Sequence, residues 1–128
     1  MSIFENFTTF NFEEGVAYLS ITKNGATFNK GVVIKMGYPQ YVQLLVNSAD
    51  KKIAVKSCDK SAENSVEFYK EKPNVKTISV RWNVKDLLNT LQDIMGVDLE
   101  KSSYRVEGSF IKEENAVLFD LTEAKELL

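Results

Sequence analysis

Between residues 16 and 57 the chain carries, in order, a strand pattern, a tight turn, a return strand, a short capped helix and a second pair of strands. This succession limits the fold more than any other feature. Val16–Thr22 is β-branched and aromatic, with Ala17, Leu19 and Ile21 on one face. Lys23-Asn24-Gly25 reverses the chain, because Asn and Gly accept the positive φ of a hairpin turn. Ala26–Phe28 is the return strand. Asn29 caps a helix that runs to Met36, its side-chain oxygen accepting a free N–H of the first turn. Phe28 before the cap and Val33 inside it have the spacing of a hydrophobic staple. Gly37 suits the left-handed position that ends a helix, and Pro39 keeps it from resuming. Tyr41–Val46 and Lys52–Ser57 make a second hairpin.

A looser version of the same plan spans residues 66–121. Val66–Tyr69 is a short strand, Lys70–Asn74 turns, and Val75–Trp82 leads into a second helix. Asn83 is its expected cap, Trp82 and Leu87 its staple, and Asp86 complements the helix dipole at the third position. Val84, Leu87, Leu88, Leu91 and Met95 form one stripe, and Gly96 stops the helix. Ser103–Phe110 and Ala116–Asp120 form a hairpin around residues 112–115, and Thr122–Leu128 has the length of one or two helical turns. An aromatic-Asn entry and a Gly exit thus occur twice, which reads as an internal repeat. The expected fold class is α+β, with two degenerate β-β-α-β-β (hairpin–helix–hairpin) units sharing one core in a mostly antiparallel sheet. The first unit is 16–57, the connector 58–65 and the second unit 66–121, all in one domain over residues 1–128. In the N-terminal arm, residues 1–15, Phe4 and Phe7 fit one helical face with Ile3, while Phe10 and Phe12 alternate like a strand. Their burial against the body is expected, with docking on a partner subunit as the alternative.

Composition removes several functions. A chain of 128 residues buries enough surface to fold without a metal or disulfide. There is no histidine, which takes away the commonest general base and metal ligand. Cys58 is the single cysteine, so a zinc site of about four Cys/His ligands cannot form. Neither Glu13-Glu14 nor Glu113-Glu114 sits in a context implying burial, and no glycine-rich phosphate loop is present. Cys58 lies between Lys56 and Lys60 but has no histidine to act with. No enzyme activity, cofactor or metal is therefore expected. No apolar run approaches the roughly 20 residues of a membrane span, and the N-terminus lacks the basic start of a signal peptide. A cytoplasmic protein with no membrane contact is the expectation.

The net charge of −2 is uneven. Residues 16–76 hold ten lysines against five acids, whereas residues 98–128 hold eight acids against four bases and residues 1–15 hold three acids and no base. Such a surface suits a polyanion such as DNA. Lys23, Asn24, Lys30, Lys35, Lys51, Lys52 and Lys56 are the candidate contacts, with Lys60 beside them. Lysines can pair with phosphates, and Asn24 or Asn29 can reach a base edge. The plainer reading is that opposite charges attract within the fold, turn lysines are solvated, and the asparagines serve the turn and the cap. Only two arginines, Arg81 and Arg105, are present, which argues against base-specific reading. Tyr38 and Tyr41 bracket Pro39 as a candidate interaction pair, and edge strands make a homodimer easy to form.

Gly25, Phe28, Met36-Gly37, Val42 and Ile53-Ala54-Val55-Lys56 occupy positions that resemble the AbrB/SpoVT swapped-hairpin family of bacterial transcription regulators. Two such units in one chain are similar to the MraZ-like arrangement. The resemblance covers residues 16–57 and, more weakly, 66–121. It implies a DNA-binding regulator. Ala26 stands where the family usually has Arg, and Phe28-Asn29 where it usually has Ile-Pro. A duplicated saddle like the TATA-binding fold fits a β-α-β repeat about as loosely. The function expected is a non-enzymatic module that binds nucleic acid through the lysine-rich first unit. The alternative is a protein-interaction or assembly module with no nucleic-acid binding.

Overall fold

The computed structural model describes residues 3–9, 15–71 and 78–127. Within them the order is β1 (Tyr18–Thr22), β2 (Gly25–Phe28), α1 (Lys30–Lys35), β3 (Tyr41–Asn47), β4 (Lys52–Ser57), β5 (Val66–Glu67), β6 (Val80–Trp82), α2 (Lys85–Met95), β7 (Ser103–Ile111), β8 (Ala116–Asp120) and β9 (Lys125–Leu127). The chain is mixed α+β. One antiparallel sheet runs β5-β3-β4-β8-β7-β1-β2-β6, and β9 adds to β7. The sheet curls until its two ends meet. There the Trp82 indole Nε1–H donates to the Glu67 carbonyl at 3.3 Å, and the Phe68 and Trp82 rings stand 5.8 Å apart.

Period-two alternation fills the interior of the curl. Leu19 and Ile21 from β1, Ile53 and Val55 from β4, and Val117 and Phe119 from β8 are all buried. Phe28 lies at the centre, with Phe68, Trp82 and Phe119 around it at 5.4, 5.0 and 5.8 Å. Full burial of each such side chain contributes about 1.5–3 kcal/mol. The α2 stripe is Leu88, Leu91 and Ile94, with Leu87 and Met95 half-buried beside it. No helix among the described residues is long and apolar enough to cross a membrane.

Asn29 does more than cap. Its Oδ1 accepts from the Val32 N–H at 3.3 Å and the Tyr18 N–H at 2.9 Å, and its Nδ2 donates to the Val16 carbonyl at 2.7 Å. These bonds seat α1 on the entry to β1. Gly31 makes that seat possible, since a Cβ there would lie 2.5 Å from the Val16 oxygen.

Several expectations are corrected. The N-cap of α2 is Val84, whose side chain makes no capping bond, and Asn83 is not the cap. The reason lies in Trp82. It pairs with Ala26 in the β2–β6 ladder and turns its ring into the core, so the chain stays extended through Val84 and the helix starts later. Trp82 is therefore no staple, and Val84 is exposed. The C-terminal segment is not helical. After a 3-10 turn at Leu121–Glu123 it becomes β9, because the first half of β7 offers a backbone edge beyond the reach of β8. Ile3, Phe4 and Phe7 are exposed rather than buried, and Phe4 and Phe7 meet only edge-to-face at 5.4 Å. Phe10, Phe12 and residues 72–77, where the second-unit turn and its strand start were expected, lie outside the described residues. No ladder joins β5 to β6 among the described residues; β5 pairs with β3, and β6 with β2.

Gly31→Ala is expected to lower stability by about 1–3 kcal/mol through overpacking. Helix propensity alone would favour Ala by about 1 kcal/mol, so the sign is informative. Urea denaturation reads it; an unchanged or raised midpoint would mean that α1 does not sit on Val16.

Candidate functional site

Among the lysines of the first half, Lys52 and Lys56 have acidic neighbours, whereas Lys23, Lys30 and Lys51 are exposed. The β4–β8 ladder sets Lys56 opposite Ala116, close to the turn carrying Glu114. Lys56 Nζ reaches Glu114 Oε2 at 2.7 Å. The hydrogen bond from Lys56 and then its charge hold the exposed Glu114 carboxyl below the usual glutamate range. At the other end of the ladder Lys52 faces Asp120. Asp120 is also held below its usual range, first by the Thr122 hydroxyl, then by the Thr122 N–H, with the Lys52 charge a smaller contributor. The basic first half and the acidic C-terminal stretch thus meet along one ladder.

The remaining candidates do not gather at one point. Lys23 and Lys30 are exposed beyond opposite ends of β2, which spans about 13 Å of strand. Lys35 is half-buried at the end of α1. Lys51 is exposed in a left-handed conformation, φ 56°, in the β3–β4 turn. Asn24 is exposed at the β1–β2 tip, its N–H donating to Thr22 Oγ1 at 3.0 Å. Asn29 is committed to α1 and β1 through both side-chain polar atoms. Tyr38 is exposed, with its ring edge on Tyr69 at 5.2 Å. Tyr41 is half-buried, with Lys60 Nζ 6.0 Å from its ring centre.

The β1–β2 tip leans over α2. Lys23, Asn83, Lys85, Asn89 and Gln92 line a cleft of about 320 Å³, floored by Leu88 and Leu99 and edged by Glu100. Arg81 lies nearby: a Cβ on Gly25 would meet its Cγ at 2.9 Å, so the arginine stem covers the tip glycine. Of these residues only Lys23 was among the candidates read from the sequence. The missed signal was the polar side of α2, where Lys85, Asn89 and Gln92 recur at helical spacing and so share a face.

Other concavities carry less chemistry. A groove of about 810 Å³ over β7, β8 and β9 mixes Lys52, Arg105 and Lys125 with Glu107, Asp120, Glu123 and Glu126, which leaves it slightly acidic. Arg105 rests on the Tyr18 ring at 5.0 Å. Cys58 is a free, half-buried thiol in a depression with Met36, Pro39, Tyr41 and Asn115. Among the described residues no group of three or more acidic or cysteine side chains could hold a metal ion, and every fully buried side chain is apolar. No protein-family model, curated protein or solved structure matches the chain.

The Lys56–Glu114 pair gives a pH prediction. Glu114 has a folded pKa below its unfolded value of about 4.3. Its contribution to stability is therefore present above that value and lost as the pH falls through the folded pKa. Lys56→Met should raise the Glu114 midpoint in an NMR titration and flatten the acid limb of stability. An unmoved midpoint would mean that the pair does not form in solution.

Proposed function

We propose that the chain is a non-catalytic module that binds nucleic acid, as a polyanion, at the β1–β2 tip and the N-terminal half of α2. The observation that carries this reading is the meeting of Lys23 and Lys85 with the side-chain amides of Asn83 and Asn89 in one open cleft, beside Arg81, with Gln92 held there by the Leu99 N–H. Ammonium groups release counterions when they pair with phosphates, and amides can bond to sugar or base edges. Lys52 and Lys56 have acidic neighbours and are assigned to the fold rather than the ligand. The uncapped first turn of α2 adds backbone N–H groups at the same end of the cleft, against which Asp86 sets one opposing charge.

We further propose that the molecule consists of two fused hairpin–helix–hairpin halves. Register supports this. The β2–β6 ladder joins Ala26 to Trp82, Thr27 to Arg81 and Phe28 to Val80, so it is unchanged when residues 26–28 exchange with residues 80–82. The β4–β8 ladder is likewise unchanged when residues 52–56 exchange with residues 116–120. The second exchange carries Lys51 onto Asn115, both left-handed at φ 56° and 47°. It also carries the bond from the Leu121 N–H to the Lys51 carbonyl, 2.9 Å, onto that from the Ser57 N–H to the Asn115 carbonyl, 3.2 Å. The pair β1–β7 exchanges with β5–β3 in the same way. The resemblance of residues 16–57 to the AbrB/SpoVT regulators points to the same two-unit, DNA-binding reading.

A fluorescence-anisotropy titration of duplex and single-stranded DNA across salt concentrations tests the site. Lys23→Glu with Lys85→Glu should weaken binding at least about tenfold and cut the log–log salt slope by about two, near 0.9 per phosphate contact. Lys52→Gln with Lys56→Gln should leave both unchanged. Absence of binding at low salt, or equal losses in the two double variants, would overturn the proposal.

A further inference from the structure

Among the described residues, nothing pairs with the outer edge of β3 where the strand is most apolar. The Gln40 carbonyl accepts from the Phe68 N–H at 2.8 Å, and the Tyr41 carbonyl accepts from the Cys58 N–H at 3.0 Å. By strand alternation, even-numbered residues of β3 direct their backbone polar groups toward the β5 side and odd-numbered ones toward β4. β5 covers only Tyr41 and Val42. Among the described residues no strand lies beside Leu44–Asn47 on that side, so the N–H and C=O groups of Leu44 and Val46 face outward. Leu45 and Val46 are each 46% exposed, although one points to each face of the strand.

Exposed edges normally carry a charge, a proline or a bulge that blocks pairing. Tyr-Val-Gln-Leu-Leu-Val-Asn has no charged residue and no proline. It is also complementary to itself. Laid antiparallel on a copy about Leu45, leucine meets leucine, Leu44 meets Val46, and Gln43 meets Asn47. Apolar groups face apolar groups, amides face amides, and no like charges oppose. Backbone parity fits the same register. Leu44 and the opposite Val46 exchange both main-chain bonds, twice over by symmetry, while Leu45 occupies the non-hydrogen-bonded site where side chains come closest.

We propose that β3 is the interface of a two-fold homodimer, in which the β3 strands of two copies pair antiparallel about Leu45. The occupant is a second copy rather than a foreign strand because the edge matches its own reversed sequence. Such a contact is isologous and closes on itself, so it ends at two subunits. The interface is short and its strength is concentrated at Leu44–Val46. It does not depend on the function of the Lys23–Lys85 cleft.

Sedimentation velocity on the full chain, at up to about 1 mM to detect weak association, tests the pairing. The native protein should show a concentration-dependent dimer. Leu45→Lys and Leu45→Glu should each sediment as monomers, because like charges would then face one another at the axis. An equimolar mixture of the two should recover the dimer, an outcome that misfolding of either variant cannot give. Val46→Pro should also be monomeric with its unfolding transition retained, since the lost N–H faces the open side and leaves the β4 ladder intact. A native chain that stays monomeric throughout, a dimer indifferent to both charge variants, or a mixture that fails to restore it would each overturn the proposal. DNA binding by the Leu45 variants is read separately, so failure here leaves the cleft reading standing or falling by itself.

Discussion

The ring of Phe119 lies across Gly108, and much of the sheet hangs on that contact. The two residues face each other in the β7–β8 ladder, and a Cβ on Gly108 would stand 2.7 Å from the ring and 2.5 Å from Val117. No other residue leaves room there. Gly108 is also where β7 changes partners: before it the strand pairs with β1 and β9, after it with β8, and its own N–H donates to Ala17 at 2.9 Å. The missing side chain lets the strand bend while a fully buried aromatic fills the concave side against Phe28. Curl and core thus have one origin.

Curling brings charges together that are remote along the chain. β4 and β8 become neighbours, and the basic first half then lies against acids of the C-terminal half. Lys56 and Glu114 are 58 residues apart in sequence and 2.7 Å apart in space. An exposed pair of this kind adds little stability, but it lowers the positive potential of that surface. The same curl places the β1–β2 tip over α2, where Lys23 and Lys85 line a cleft with Glu100 at its edge and Asp86 in the first turn of the helix. The open Lys23–Lys85 cleft and the neutralised face are two results of one closure.

The elements with strong local signals were legible in the sequence. β4 and β8 have the expected bounds, β3 is longer than expected by Asn47 alone, and α1 lies between its Asn cap and Gly stop. Short-range chemistry decides such elements: Asn29 finds its N–H three residues away, and Gly37 takes φ 76° wherever α1 packs. Legibility failed where a distant group competed. Trp82 left its staple for Phe28 and Phe68, Lys125–Leu127 paired with the edge of β7 instead of forming helix, and Phe4 and Phe7 stay exposed. The candidate site was legible only at Lys23. Lys85 and the α2 amides were hidden because a helix read for its apolar stripe leaves its polar face unexamined.

Local pattern and composition settled β3, β4, β8 and α1, their alternation of inside and outside, and the lack of histidine. These follow from dihedral preference, period and residue type, which act over a few positions. Only the folded sheet decided which strands became neighbours, which lysines met acids and which edge stayed open. Those outcomes depend on contacts between residues dozens of positions apart, and no local pattern ranks one long-range pairing over another.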